Sequence, residues 1–209
     1  MNRYFDLPHS GYTVAGGPDN GPLPTDRPHV LNFFGAYSLD WNERFGFAAN
    51  NTTEFQLFTT VQSGTPMTTV VDILGIDTVP LYGRGDLGRT EAFTQTDFAI
   101  RHRFRFGRDN RFTLVAEADA LNVFNENNVV GINNLINITD FDLTDPALGL
   151  ITAAEELQDN AYPLAIGRFQ RNGAPALVDA AKSDIYPLYQ LPDLFQAPRE
   201  FRFGIRLLF

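Results

Sequence analysis

Few residues in this chain have the types and spacing that chemistry needs. The histidines are His9, His29 and His102, and there is no cysteine. Thiolate nucleophiles, disulfides and Cys-ligated metals are therefore excluded. Ser10, Ser38, Ser63 and Ser183 lack a triad-like setting, and no G-x-S-x-G elbow occurs. The stretch "YGRGDLGR" at 82–89 contains an RGD but reads as a polar loop. It is no phosphate loop either, because it does not run from a strand into a helix. Asp140, Asp142, Asp145, Glu155, Glu156 and Asp159 gather in one region without the spacing of a calcium hand. One charged pattern is ordered. Arg101, Arg103 and Arg105 alternate along one stretch, and Glu117 and Asp119 along the next. Charges two residues apart share a face of a strand, so this row is a ladder on a wetted sheet face, not an acid–base pair. The expectation is no enzyme, no cofactor and no metal.

The elements that position this ladder have period-two alternation, the mark of strands with two unlike faces. In "VLNFFGAYSLDW" (30–41) the odd residues Leu31, Phe33, Gly35, Tyr37, Leu39 and Trp41 oppose Asn32, Ser38 and Asp40. In "TEFQLFTTVQS" (53–63) Phe55, Leu57, Thr59 and Val61 oppose Glu54, Gln56, Thr60 and Gln62. In "FTQTDFAIRHRFRF" (93–106) Phe98, Ile100, Phe104 and Phe106 share a face with His102, which reads as a packing or interface residue and not a ligand. In "RFTLVAEADALNVF" (111–124) Phe112, Leu114, Ala116, Ala118 and Ala120 oppose Thr113, Glu117 and Asp119. The fifth strand is "REFRFGIRLLF", with Phe201, Phe203, Ile205, Leu207 and Phe209 on one side. "GRDN" (107–110) is a short turn. Pairing Phe106 with Phe112 sets Arg101 opposite Glu117 and Phe104 opposite Leu114, so opposite charges and apolar faces coincide.

The remaining connections are unequal. Residues 42–52 make a moderate link, while 64–92 and 125–198 are long and rich in Gly, Pro, Asn and Asp. Part of the last, 145–162, carries helix signals, with Asp145 as N-cap and Pro146 in the first turn. Alternating short turns and long loops suit an outer-membrane barrel, whose short turns are periplasmic. Strands of about 10–14 residues are long enough to cross a bilayer at a tilt. Trp41, Phe104, Phe106, Phe112 and Phe209 fall toward one end of the strands, as an interfacial girdle would. The chain has 209 residues, net charge −9, fifteen Arg against the single Lys182, and 19 Phe. The acidity argues against a nucleic-acid partner. No apolar run is long enough for a membrane helix, and the first residues lack the pattern of a signal peptide.

Several stretches, in order, resemble the C-terminal barrel of TonB-dependent outer-membrane receptors of the type with a carboxypeptidase-regulatory-like N-terminal domain. They are "GPLPTDRPHVLNFFGAYSL", "VQSGTP" (61–66), "TQTDFAIRHRFRFG" with "RFTLVAEADALNVFNENNV", and "FQAPREFRFGIRLLF". The third holds an N-x-F-N-x-x-N signature at Asn122, Phe124, Asn125 and Asn128. The resemblance covers about 21–209. It implies a 22-stranded barrel with an internal plug, of which this chain supplies the last strands, and a terminal aromatic signal (Phe201 to Phe209) read by the barrel-assembly machinery. The ladder of Arg101, Arg103, Arg105, Glu117 and Asp119 would face the lumen or the plug.

The expected fold is thus all-β: an antiparallel transmembrane barrel segment of about five long strands with long extracellular loops, a partial barrel. Residues 1–29 would be an extracellular loop segment and 30–209 the C-terminal portion of the barrel. The expected place is the outer membrane of a Gram-negative-type bacterium, with lipid, the assembly machinery and the missing N-terminal plug and strands as partners. TonB would be reached only through that missing part. On this reading the chain is a fragment, not competent alone, of a receptor that takes up a scarce large solute of unspecified kind. The alternatives are a small autonomous outer-membrane barrel and a soluble β-sandwich binding module.

Overall fold

A computed structural model of the chain describes residues 13–46, 51–74 and 77–209. In chain order its elements are β1 (Val30–Asp40), α1 (Trp41–Phe45), β2 (Asn51–Gln62), β3 (Val70–Leu74), β4 (Asp77–Pro80), β5 (Phe93–Phe106) and β6 (Phe112–Leu121). They continue with β7 (Val129–Ile132), β8 (Phe141–Asp142), α2 (Ala153–Glu156), α3 (Ala161–Asn172), α4 (Pro175–Ser183), β9 (Pro192–Phe195) and β10 (Glu200–Leu208). Strand predominates, the main pairings are antiparallel, and no helix among the described residues is long and apolar enough to cross a membrane. The chain divides into two compact units: Met1–Asp26, Gly64–Thr90 and Val130–Leu194 form one, and Arg27–Ser63, Glu91–Val129 and Phe195–Phe209 the other.

The second, here the sheet unit, is one five-stranded antiparallel sheet in the order β1-β2-β5-β6-β10. Its strands run 11, 12, 14, 10 and 9 residues, the five read from the alternation. The β5–β6 register is Arg101↔Glu117, Phe104↔Leu114 and Phe106↔Phe112, as the charge and apolar matching requires. Local chemistry sets the ends. The Asp40 carboxylate accepts from the Asn42 and Glu43 backbone N–H groups at 2.9 and 3.1 Å, stopping β1 and capping α1, and Gly46 closes α1 at φ 72°. The β5–β6 turn needs left-handed backbone at Gly107 (φ 86°), Asp109 and Asn110. A Cβ on Gly107 would meet the Phe112 ring at 2.8 Å, so only glycine fits there. The β1–β2 and β5–β6 links leave from one end of the sheet, and the long links leave from the other.

The other unit is packed. β3 pairs antiparallel with β4 on one side and parallel with the short β8 on the other. α3 presents Ala161, Ala165 and Phe169 at four-residue spacing, and α4 presents Leu177, Val178 and Ala181. These join Val14, Val71, Ile73, Val79, Leu81 and Leu143 in one hydrophobic core. The long connections are therefore not merely polar loops. Helix does occur after Asp145, which caps a 3₁₀ turn at Pro146–Leu148, but most of it lies beyond 162, in α3 and α4. Pro163 and Gly167 interrupt the pattern of α3, which hides its apolar stripe from sequence reading.

Candidate functional site

The odd residues of β1 and β2 and their partners form one face of the sheet. Register carries the row Tyr37–Phe55–Ile100–Ala118–Phe203 across all five strands, and beside it the row Gly35–Leu57–Phe98–Ala120–Phe201. Ala116, Ala118 and Ala120 on β6 leave room for the bulky neighbours on β5 and β10. This face is exposed: Phe33 58%, Tyr37 62%, Phe203 82% and Ile205 82%. Toward the short-turn end, Phe104, Phe106 and Phe112 stack in succession with centroids 5.6 Å apart, and Trp41 lies 5.6 Å from Phe45. His102 belongs to this face. Trp41 Nε1 donates to Thr53 Oγ1 at 2.8 Å, and Thr53 Oγ1 lies 2.8 Å from His102 Nδ1. The hydroxyl thus satisfies both rings where polar groups meet the aromatic cluster.

The opposite face carries the ladder. Arg103 Nη1 donates to Glu54 Oε1 at 2.5 Å, Arg101 Nε to Glu117 Oε1 at 3.1 Å, and Arg101 also approaches Glu54 at 3.8 Å. Arg206 reaches Glu117 at 3.5 Å. Ion pairs therefore link β2, β5, β6 and β10. Asp119 sits opposite Arg202 in register, while Arg202 pairs with Glu200 of its own strand at 2.7 Å. Asp119 and Arg105 make no ion pair among the described residues. Sequence reasoning left Glu54 and Arg206 out of the ladder. Their alternation put them on the polar face, but the registers of β2 on β5 and of β10 on β6 are set across long links that sequence does not measure.

At the long-link end an amide network joins β5, β6 and β10. Asn122, at φ 51° and 2% exposed, uses its whole side chain. Nδ2 donates to the Glu126 and Ala197 carbonyls, each at 2.9 Å, and Oδ1 accepts from Glu126 N at 2.8 Å. Asn125 Oδ1 accepts from Arg199 N at 3.0 Å. Asn128 Nδ2 donates to Gln196 Oε1 at 2.7 Å, and Gln196 Nε2 to the Thr94 carbonyl at 2.9 Å. The three asparagines of the N-x-F-N-x-x-N signature thus tie the start of β5 and the approach to β10 to the exit of β6.

The other chemistry-bearing residues are occupied structurally. In the RGD, Arg84 makes a buried bidentate pair with Asp19 at 2.7 and 2.6 Å, and Asp86 accepts from Thr69 N and Oγ1 at 2.8 and 2.6 Å. Neither end is presented for recognition. Asp142, Asp145 and Glu155 accept from backbone N–H groups as turn and helix caps. Among the described residues no three acidic or histidine side chains stand close enough to hold a metal ion. His29 N donates to Ser63 Oγ at 3.2 Å, which joins the ends of β1 and β2. His9 and Ser10 lie outside the described residues. Glu155 and Arg168 pair at 2.5 Å. The guanidinium, and then the Thr152 donors, hold the Glu155 carboxyl down at about 2.

Comparison with known proteins gives no relative: no protein-family model, no curated protein and no solved structure matches the chain.

Proposed function

We propose that the five-stranded sheet is a stretch of wall of an outer-membrane β-barrel of the TonB-dependent receptor type, with its long links outside the cell, and that the chain serves solute uptake and not catalysis. The observation that carries this is the orientation of the sheet. Large side chains of its apolar face are exposed on β1, β2, β5 and β10, and its ion pairs lie on the other face, the arrangement of a wall between lipid and a water-filled lumen. A soluble sandwich buries that apolar face against a second sheet. The dimensions agree. An 11-residue strand rising ~3.3 Å per residue and tilted about 45° spans about 25 Å, the height of the lipid-facing band. The aromatic cluster at the short-turn end fits the inner interface. Among the described residues nothing pairs with the outer edges of β1 and β10 in this sheet, and a bilayer does not tolerate bare edges. Closure therefore takes further strands, on this polypeptide or another, since the smallest such barrels have about eight.

Trp41, the single tryptophan, is a built-in depth probe. The chain is mixed with phosphatidylcholine vesicles brominated either near the headgroup or near the acyl terminus. The expected result is partition into the vesicles, with stronger quenching of Trp41 by the shallow bromines. A monodisperse chain in buffer, unquenched by either lipid, overturns the reading.

A further inference from the structure

The charged face contains one place that the ladder does not explain. Phe34 and Phe58, a cross-strand pair, lie on this polar side and stay 64% and 40% exposed. Beside them is a hollow of about 130 Å³ that reaches across all five strands. Ala99 forms its floor, in register between Gln56 and Asp119, and Arg202 stands opposite Asp119. Neither the Gln56 amide nor the Asp119 carboxylate has a hydrogen-bond partner in the protein among the described residues. The site thus has a small floor, an aromatic wall, an amide and a carboxylate without protein partners on the far side, and Arg202, whose Nε and Nη2 are held by Glu200 and whose Nη1 is left to donate. Apolar walls with a few convergent polar groups make a small-molecule site, and a cavity of ~150 Å³ holds a single six-membered ring.

We infer that this hollow binds one ring of a neutral saccharide. The C–H face of a pyranose is weakly positive and lies on the negative faces of Phe34 and Phe58. Its hydroxyls are both donors and acceptors. Asp119 accepts from one, the Arg202 guanidinium donates to its neighbour, and the Gln56 amide does either. An aromatic ligand would fill the wall but leave these groups unpaired. An anion would meet Asp97 and Asp119. The inference rests on the proposed reading only in that this face borders water.

The test is saturation-transfer NMR on the full chain in lauryldimethylamine oxide, a detergent without a sugar headgroup, with maltotriose and cellotriose as probes and the tripeptide Ala-Phe-Lys as competitor class. Transfer to at least one saccharide is expected, falling five-fold or more in Phe58→Ala and in the near-isosteric Asp119→Asn. The Asn variant guards against a result that only reports unfolding. Transfer to neither saccharide, transfer unchanged in both variants, or transfer to the peptide alone overturns the proposal. Trp41 lies at the other end of the sheet, so its quenching by lipid reports the membrane reading separately. A failed saccharide test with intact lipid quenching removes the subsite and leaves that reading standing.

Discussion

Phe169, Leu81 and Leu143 have no exposed surface in the packed unit, while Phe203 and Ile205 of the sheet unit are about four-fifths exposed. In the sheet unit the buried side chains are mostly polar: Asn51, Thr53, Thr60, Thr96, Asn122 and Gln196, with Val115 the one buried apolar residue among those described. One chain thus holds two opposite burial patterns. The packed unit collects apolar groups from three segments and withdraws them from water, as the hydrophobic effect favours. The sheet unit pairs its strands except at the outer edges of β1 and β10, satisfies most of its inner polar side chains by hydrogen bonds but leaves Asn51 Oδ1 and Glu126 Oε2 buried without a partner, and keeps its large apolar side chains at the surface.

The sharpest way to separate the two is a matched pair of aromatic truncations. Phe169→Ala empties a closed core and should cost about 3–5 kcal/mol, lowering the urea midpoint of the packed unit. Phe203→Ala, at a site 82% exposed, should leave melting in detergent nearly unchanged. Equal losses would mean that Phe203 is covered by protein, and the contrast would fail.

A charge tests the outer medium itself. Phe203 lies near mid-height on the apolar face, and Phe203→Arg should weaken vesicle partition by about 2–4 kcal/mol, the cost of an arginine near the bilayer midplane. Ser38→Arg places the same charge on the other face, opposite Glu54, and should change partition little. Trp41 quenching reads both. Equal effects would show that the two faces see the same surroundings.

Asn122 tests the polar interior. Asn122→Ala leaves Glu126 N and the Ala197 carbonyl without partners and should cost about 1–3 kcal/mol, with amide exchange rising first at residues 122–128 and 196–199. A loss spread evenly over the sheet would mean the network is not a local tie.

What was legible follows the same division. The sheet was readable because its strands are long and two-faced, and because one short turn fixed Arg101 against Glu117. The neighbour of β2 was not readable, since about 30 residues separate it from β5 and loop length carries no register; so the bond from Arg103 to Glu54 was missed. The packed unit was invisible for a different reason. Val14, Leu143 and Leu177 come from pieces far apart in sequence, the strands are only five, four and two residues long, and the one regular apolar spacing, Ala161, Ala165 and Phe169 in α3, is broken up by Pro163 and Gly167. The asparagine signature was noticed as a pattern, but the positive φ of Asn122 and Asn125 and their bonds to Glu126, Ala197 and Arg199 exist only in three dimensions.

The smallest effect belongs to an exposed cap in the packed unit. Glu155 closes a capping box with Thr152 and pairs with Arg168. Its carboxyl is lowered from 4.5 to about 2, first by the Arg168 hydrogen bond and then by the Thr152 donors. A carboxyl whose folded pKa is depressed contributes fully above its unfolded value and loses that contribution as pH falls toward the folded one. The difference in urea midpoint between the wild type and Glu155→Gln should therefore be greatest at pH 6 and shrink from pH 4.5 down to 2. Exchange at residues 152–172 should follow the same course while the sheet unit stays indifferent to the substitution. A difference that holds constant across that window would assign the contribution to the shape of the cap and not to its charge.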